Sequence, residues 1–188
     1  MSYFVDDYLR ETRRILKVLD HVDIESMACM LSDVRASSNR LFIIGNGGSA
    51  ATASHAVNDL RKIVKIEAYA PTDNVAELTA RTNDDGWEST FARWLNVSKL
   101  GLDDALLVLS VGGGSTEASP NIVQAVSLAN DVGAIVLGIV GRDGGFVRKN
   151  SDVCLVIPPL YEDRITPHTE GITSIILHLL VSHPVLRP

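Results

Sequence analysis

Cysteine is nearly absent: Cys29 and Cys154 are the two in 188 residues, far apart and outside any CxxC spacing. That excludes a disulfide framework and a thiolate metal site, and both are expected as core fillers. Positive charge is in the minority. With 17 Lys and Arg against 23 Asp and Glu, a formal charge of −6, the chain lacks the clustered cations that a nucleic-acid surface needs to neutralise phosphates. A small anionic ligand would need only a few local donors. No apolar run approaches the roughly 20 residues that span a bilayer, so no membrane partner is expected. The start Met1-Ser2-Tyr3-Phe4-Val5-Asp6-Asp7 has two early acids and no basic stretch ahead of an apolar one, unlike a secretory signal. A cytoplasmic protein is the expectation. Glycine and proline are missing from the first 37 residues, which leaves that segment without the usual helix breakers.

What the segment does have is helical spacing: Phe4, Tyr8, Ile15 and Leu19, then Ile24, Met27, Leu31 and Val34. This predicts two helices hinged within residues 20–23. They precede the first strand, so they are not crossovers of βαβ units and must bury their apolar faces on the sheet or on another subunit. Beyond them, residues 41–44, 106–109, 135–140 and 153–157 are short continuous apolar runs, the pattern of strands buried on both faces of a parallel sheet. Residues 66–69 form a weaker fifth strand. Helical stretches alternate with them at 50–64, 75–80, 87–95, 122–130 and about 167–183. The pattern predicts one α/β domain over residues 1–188, a doubly wound three-layer sandwich whose ligands sit beyond the carboxyl ends of the strands. Those ends are residues 45–49, 72–74, 110–119 and 141–145.

The first of these ends is the most suggestive. Gly45-Asn46-Gly47-Gly48-Ser49-Ala50 breaks a buried-strand run and opens a helix; it is either a tight turn or an anion cradle of unpaired helix N–H groups. His55 and Asp59 follow four residues apart, on one helix face, as a metal-ligand pair, an acid–base pair or a plain surface pair. On the last helix, opened by Thr166 as N-cap and Pro167, Glu170 and His178 stand eight residues apart and share a broad face. If they met the first pair, two imidazoles and two carboxylates would suit a borderline metal such as zinc. His21, His168 and His183 are read as surface or terminal residues, with His168 an outside candidate. Residues 110–121 offer Ser110, Ser115 and Ser119 for a phosphate, or are a flexible loop with a serine N-cap. Asp84 and Asp85 either cap the helix after them or hold sugar hydroxyls.

Taken together, these residues resemble the sugar isomerase (SIS) domain, and within it the phosphoheptose isomerase family, which converts sedoheptulose 7-phosphate to a heptose 7-phosphate. The likeness rests on the paired N-terminal helices, the Gly45–Ala50 loop with His55, Thr72-Asp73-Asn74, Asn83-Asp84 with Gly86 and Phe91, Gly141-Arg142-Asp143-Gly144-Gly145, and the Glu170 to His178 spacing. It implies a five-stranded parallel sheet flanked by helices and a homotetramer with interfacial active sites, using the N-terminal helices in its packing. It also implies a phosphorylated sugar held by Asn46, Gly47, Ser49, Asp84, Ser110, Ser115, Ser119 and Glu170. His55, Asp59, Glu170 and His178 would form a zinc site, with Asp59 and His178 catalytic and Glu170 the alternative base. The chain departs from the family in two places. Asp59 stands where members carry Glu and Glu170 where they carry Gln; the shorter Asp moves a catalytic oxygen by about 1 Å, enough to affect proton transfer. The family's compact serine loop is replaced by Ser110-Val111-Gly112-Gly113-Gly114-Ser115, and the stretch to Pro120-Asn121 is longer. The expected activity is a metal-dependent aldose–ketose isomerisation. A non-catalytic SIS module that binds a phosphosugar or a partner protein, and an isomerase of another ketose phosphate such as an octose phosphate, are the alternatives.

Overall fold

A computed structural model of the chain describes residues 3–187; Met1 and Ser2, the first residues of the acidic start, lie outside them. Helices α1 (Phe4–Lys17) and α2 (His21–Ala36) lead into strand β1 (Arg40–Gly45). The turn between them is fixed by Asp20, whose carboxylate accepts the Val22 and Asp23 amides at 2.8 and 3.4 Å and so caps α2. There follow α3 (Gly48–Asp59), β2 (Glu67–Tyr69), α4 (Val75–Asp85), α5 (Thr90–Val97), β3 (Ala105–Ser110), α6 (Pro120–Asp131), β4 (Ile135–Val140), α7 (Gly145–Lys149), β5 (Val153–Val156) and α8 (Ile165–Ser182). The five strands are parallel in the order β2-β1-β3-β4-β5, with Leu41 opposite Ala105 and Leu106 opposite Val136. The winding reverses between β1 and β3, the point at which open α/β sheets bind ligands beyond their carboxyl ends.

Alternation along the strands divides the core. Leu41, Ile43, Leu107 and Ile139 face α1, α2, α3 and α8, whereas Phe42, Ile44, Leu106 and Val108 face α5, α6 and α7. The N-terminal helices therefore bury Ile15, Ile24, Met27 and Leu31 on the sheet side, while Phe4, Val5 and Leu9 stay exposed on the outer side of α1. No helix among the described residues is long and apolar enough to cross a membrane.

Several sequence expectations are corrected. Cys29 is exposed and only Cys154 is partly buried, its thiol pushed up to about 11 by burial; apolar composition alone does not say which side of α2 faces outward. Asp84 and Asp85 do not cap the following helix but end α4, where Gly86 at φ +86° stops it and Asp85 pairs with Arg93 at 3.2 Å. Thr166 and Pro167 are the second and third residues of α8 rather than its start. The chain enters α8 through a 3-10 turn, Glu162–Arg164, without a side-chain cap.

His168 is likewise no surface group. It is buried, stacked on Tyr8 at 4.5 Å, with Nε2 2.9 Å from Oε2 of buried Glu11 on α1. Arg164 donates to both Glu11 oxygens, at 2.6 and 2.8 Å. The hydrogen bonds from Arg164, then that with His168, hold Glu11 down to about 2 from an ordinary 4.5. A carboxylate lowered on folding stabilises the protein above its unfolded value and loses that contribution as pH falls toward its folded one. In urea unfolding, the advantage of the parent over Glu11→Gln should be full at pH 6, shrink below about pH 4.5 and vanish near pH 2; a pH-independent difference would contradict the assignment.

Candidate active site

α3 and α8 start at the same edge of the sheet and run side by side. Gly45 must be glycine there, since a Cβ would lie 2.8 Å from the Ser49 backbone, and Gly47, at φ +57°, turns the chain into α3. Seven and eleven residues past Gly48, His55 and Asp59 turn their side chains toward α8. His55 Nε2 lies 3.2 Å and His178 Nδ1 3.6 Å from the same oxygen, Asp59 Oδ2, and the two rings meet edge to face at 5.2 Å. One potential donor atom from each of the three lies within 4.8 Å of the others. Both imidazoles are 58 % exposed, and Asp59 15 %. Beside them is a cleft of about 280 Å³ lined by Ala51, Thr52, His55, Ser174, Leu177 and His178. The other Asp59 oxygen accepts from the Asn58 amide at 2.9 Å.

The donor set suits a divalent cation of zinc type: two imidazoles and a carboxylate, beside a cleft with room for a fourth, exchangeable ligand. Such an ion would polarise an adjacent carbonyl or hydroxyl. Just past Asp59 the helix widens into a π turn, Leu60–Val64, closed by Lys65 in the left-handed region at φ +67°. Residues 50–64 read as one uniform helix in the sequence. The apolar positions Leu60 and Val64, spaced four apart, hide the change of pitch.

Glu170 does not join this cluster. Its carboxylate lies against the first turn of α3, where a Cβ on Gly48 would come within 2.6 Å of Oε1. Glu170 and His178 are eight residues apart, about 12 Å along a helix, so shared facing does not bring them to one point. A helix N-terminus attracts anions, and the anion at this one is the protein's own: the positive end of α3 faces the Glu170 carboxylate, a favourable placement.

The remaining predicted ligands divide. Asn46 is bonded side chain to side chain with Asn121, donating at 3.1 Å and accepting at 2.9 Å; Asn121 is fully buried at the start of α6 and joins the loops after β1 and β3. Sequence reading missed it as a site residue, although its place just inside a helix start was visible. Ser49 is buried at the first turn of α3, and Ser119, at φ +64°, precedes α6. Ser110 Oγ accepts from Gly113 N at 3.0 Å, and Ser115 Oγ accepts from Ala118 N at 3.0 Å. The glycine run is tied to the loop that opens α7. The Gly113 and Gly114 carbonyls accept the Val147 and Phe146 amides at 2.9 and 3.0 Å, so the run caps α7. Asp84 sits exposed at the end of α4, accepting from Asn83 at 2.7 Å.

A parallel sheet in this order, with a His–Asp–His group on two helices that flank it, defines an α/β protein with a candidate metal centre beside its sheet. The chain belongs to the SIS-domain family, whose SIS domain model matches residues 7–141. Within that family its relatives are phosphoheptose isomerases. It is 34 % identical to the phosphoheptose isomerase of Geobacter sulfurreducens over 84 % of this chain and 85 % of that one. With that of Aliarcobacter butzleri it shares 29 % over 99 % of this chain and 95 % of that one. The solved structure of a phosphoheptose isomerase from Francisella tularensis superposes with a TM-score of 0.84 at 25 % identity, covering 99 % of this chain and 98 % of that one.

Proposed function

We propose that this chain is a divalent-metal-dependent aldose–ketose isomerase of a phosphorylated sugar, taking sedoheptulose 7-phosphate to D-glycero-D-manno-heptose 7-phosphate. The observation that carries the reading is the convergence of His55, Asp59 and His178 beside a cleft, in a chain whose relatives bear that enzyme's name. Zinc is the ion the donor set fits best, and when bound it would stabilise negative charge on the sugar oxygens. Asp59 Oδ1, held by Asn58, takes the proton from the carbon beside the ketose carbonyl, leaving an enediolate. His178 serves as the partner acid, moving a proton between the two oxygens before the neighbouring carbon is reprotonated.

The other contacts follow the rim. Glu170 accepts a sugar hydroxyl at the first turn of α3, Asn46, Gly47 and Ser49 line the same edge, and Ser110, Ser115 and Ser119 lie on the loop toward which the phosphate extends. Asp84, exposed at the end of α4, is the remaining sugar contact. The exposed apolar residues Phe4, Val5 and Leu9 on α1, with Ile175 and Leu179 flanking His178, support a homotetramer. The whole of residues 1–188 acts as one domain, working in the cytoplasm.

The direct test is incubation of the zinc-loaded protein with sedoheptulose 7-phosphate, read by formation of the aldose. Unchanged substrate would overturn the assignment; turnover of an octulose phosphate alone would replace the substrate. Glu170→Gln should raise KM about tenfold while leaving kcat within a few-fold, because a hydrogen bond to a charged acceptor is weakened and not the proton transfer. A fall confined to kcat would make Glu170 the base instead.

A further inference from the structure

The mechanism above leaves one buried charged group unused. Glu11, on α1, is 7 % exposed and His168 4 %, yet three donors converge on that carboxylate: Arg164 Nε and Nη2 and His168 Nε2, at 2.6 to 2.9 Å. Tyr8 stacks on the imidazole from the same helix, and Thr12 Oγ1 lies 3.5 Å from its Nδ1. Burying a carboxylate is costly unless its lone pairs are filled, and this one is filled from two consecutive turns at one place: Arg164 immediately before α8 and His168 in its first turn. That entry otherwise has no side-chain cap, and Pro167 removes one of its backbone donors. Glu170 comes two residues after His168. Further along, α8 is held differently, by Ile172, Ile176 and Leu180 in the core.

We propose that Glu11 is a positioning residue for Glu170: by gripping Arg164 and His168 it seats the first turn of α8, and so places the Glu170 carboxylate against Gly48 for the substrate. The grip acts on the start of the helix and not on His178, which the apolar contacts keep in register. The inference rests on Glu170 contacting the sugar, as proposed above. Its test includes a measurement that does not depend on that contact.

Two measurements on the full-length, zinc-loaded protein decide it. In hydrogen exchange, Glu11→Gln should speed the amides of residues 168–171 about tenfold or more and leave those of 176–180 unchanged, because local opening follows local contacts. In kinetics with sedoheptulose 7-phosphate, Glu11→Gln should raise KM about fivefold with kcat nearly constant and zinc affinity within twofold. The double variant with Glu170→Gln should be no worse than Glu170→Gln alone, since a residue acting through another adds nothing once that one is gone. Multiplying effects in the double variant, or unaltered exchange at 168–171, would overturn the proposal. If the protein proves inactive on the sugar, the functional reading fails and the exchange pattern alone decides the positioning. If Glu11→Gln does not fold, Arg164→Lys, which keeps the charge and loses the two-pronged bond, should give the same pattern at smaller size.

Discussion

His178→Ala is expected to leave the protein folded, without stoichiometric zinc, and slower by on the order of 10³-fold or more in kcat/KM. Two losses combine. Removing one of three protein donors leaves a site of two, below the number that holds a catalytic zinc, and the same change deletes an acid whose contribution is typically 10²- to 10⁴-fold. His55→Ala removes a ligand from the other helix and should also lose the metal, although it takes no proton-transfer group away. At saturating zinc, His55→Ala should therefore recover more activity than His178→Ala. Metal content by elemental analysis and rates with added zinc check both. Full zinc occupancy in the two variants would show that the His–Asp–His group is not the metal site.

Gly113→Ala should be the most damaging substitution for the fold outside the core. Gly113 has φ +68°, and a Cβ there would overlap the Gly144 carbonyl, a backbone atom with no freedom to swing away. The left-handed backbone costs a side chain about 1–3 kcal/mol and the overlap adds a similar amount, so a loss of about 4 kcal/mol is expected. For a chain of this size that is a fall in Tm of about 8–16 °C, measured by calorimetry. Gly171→Ala is the contrasting case. Gly171 lies within α8 with nothing near its missing Cβ, and alanine there should stabilise by up to about 1 kcal/mol. Equal losses at both positions would mean that helix propensity and steric overlap had been wrongly weighed.

The sheet was legible because burial on both faces writes a continuous apolar run into each strand: residues 135–140 coincide with β4, and the other strands differ by a residue or two at their ends. The His55–Asp59 pair was legible for an equally local reason, the four-residue turn of a helix. What brings His178 to it is the parallel packing of α3 and α8, which no local period encodes. The same limit explains the misplacement of His168. Its partner Glu11 lies 157 residues away, and neither residue has a neighbour in sequence that announces the other. The interlocking of the Gly112–Gly114 run with a second loop was hidden for a different reason. Glycines that free a backbone to approach phosphate and glycines that let two loops interlock look identical until the second loop, residues 144–147, is placed against them.

The paired amides at the switch point carry one more consequence, concerning orientation. Two asparagines bonded to each other in both directions could be flipped together and remain satisfied. Here Ile122 N donates to Asn121 Oδ1 at 3.0 Å, and a backbone N–H has no alternative polarity, so Asn121 is set and Asn46 with it. Each amide of the pair uses one donor hydrogen and one lone pair on its partner, leaving Asn46 with one of each. A ligand arriving at the loop after β1 thus meets a fixed order of donor and acceptor, dictated by the helix that follows β3. A hydroxyl, which can give and take a hydrogen bond at once, satisfies that order completely; a group that only accepts leaves half of it unanswered.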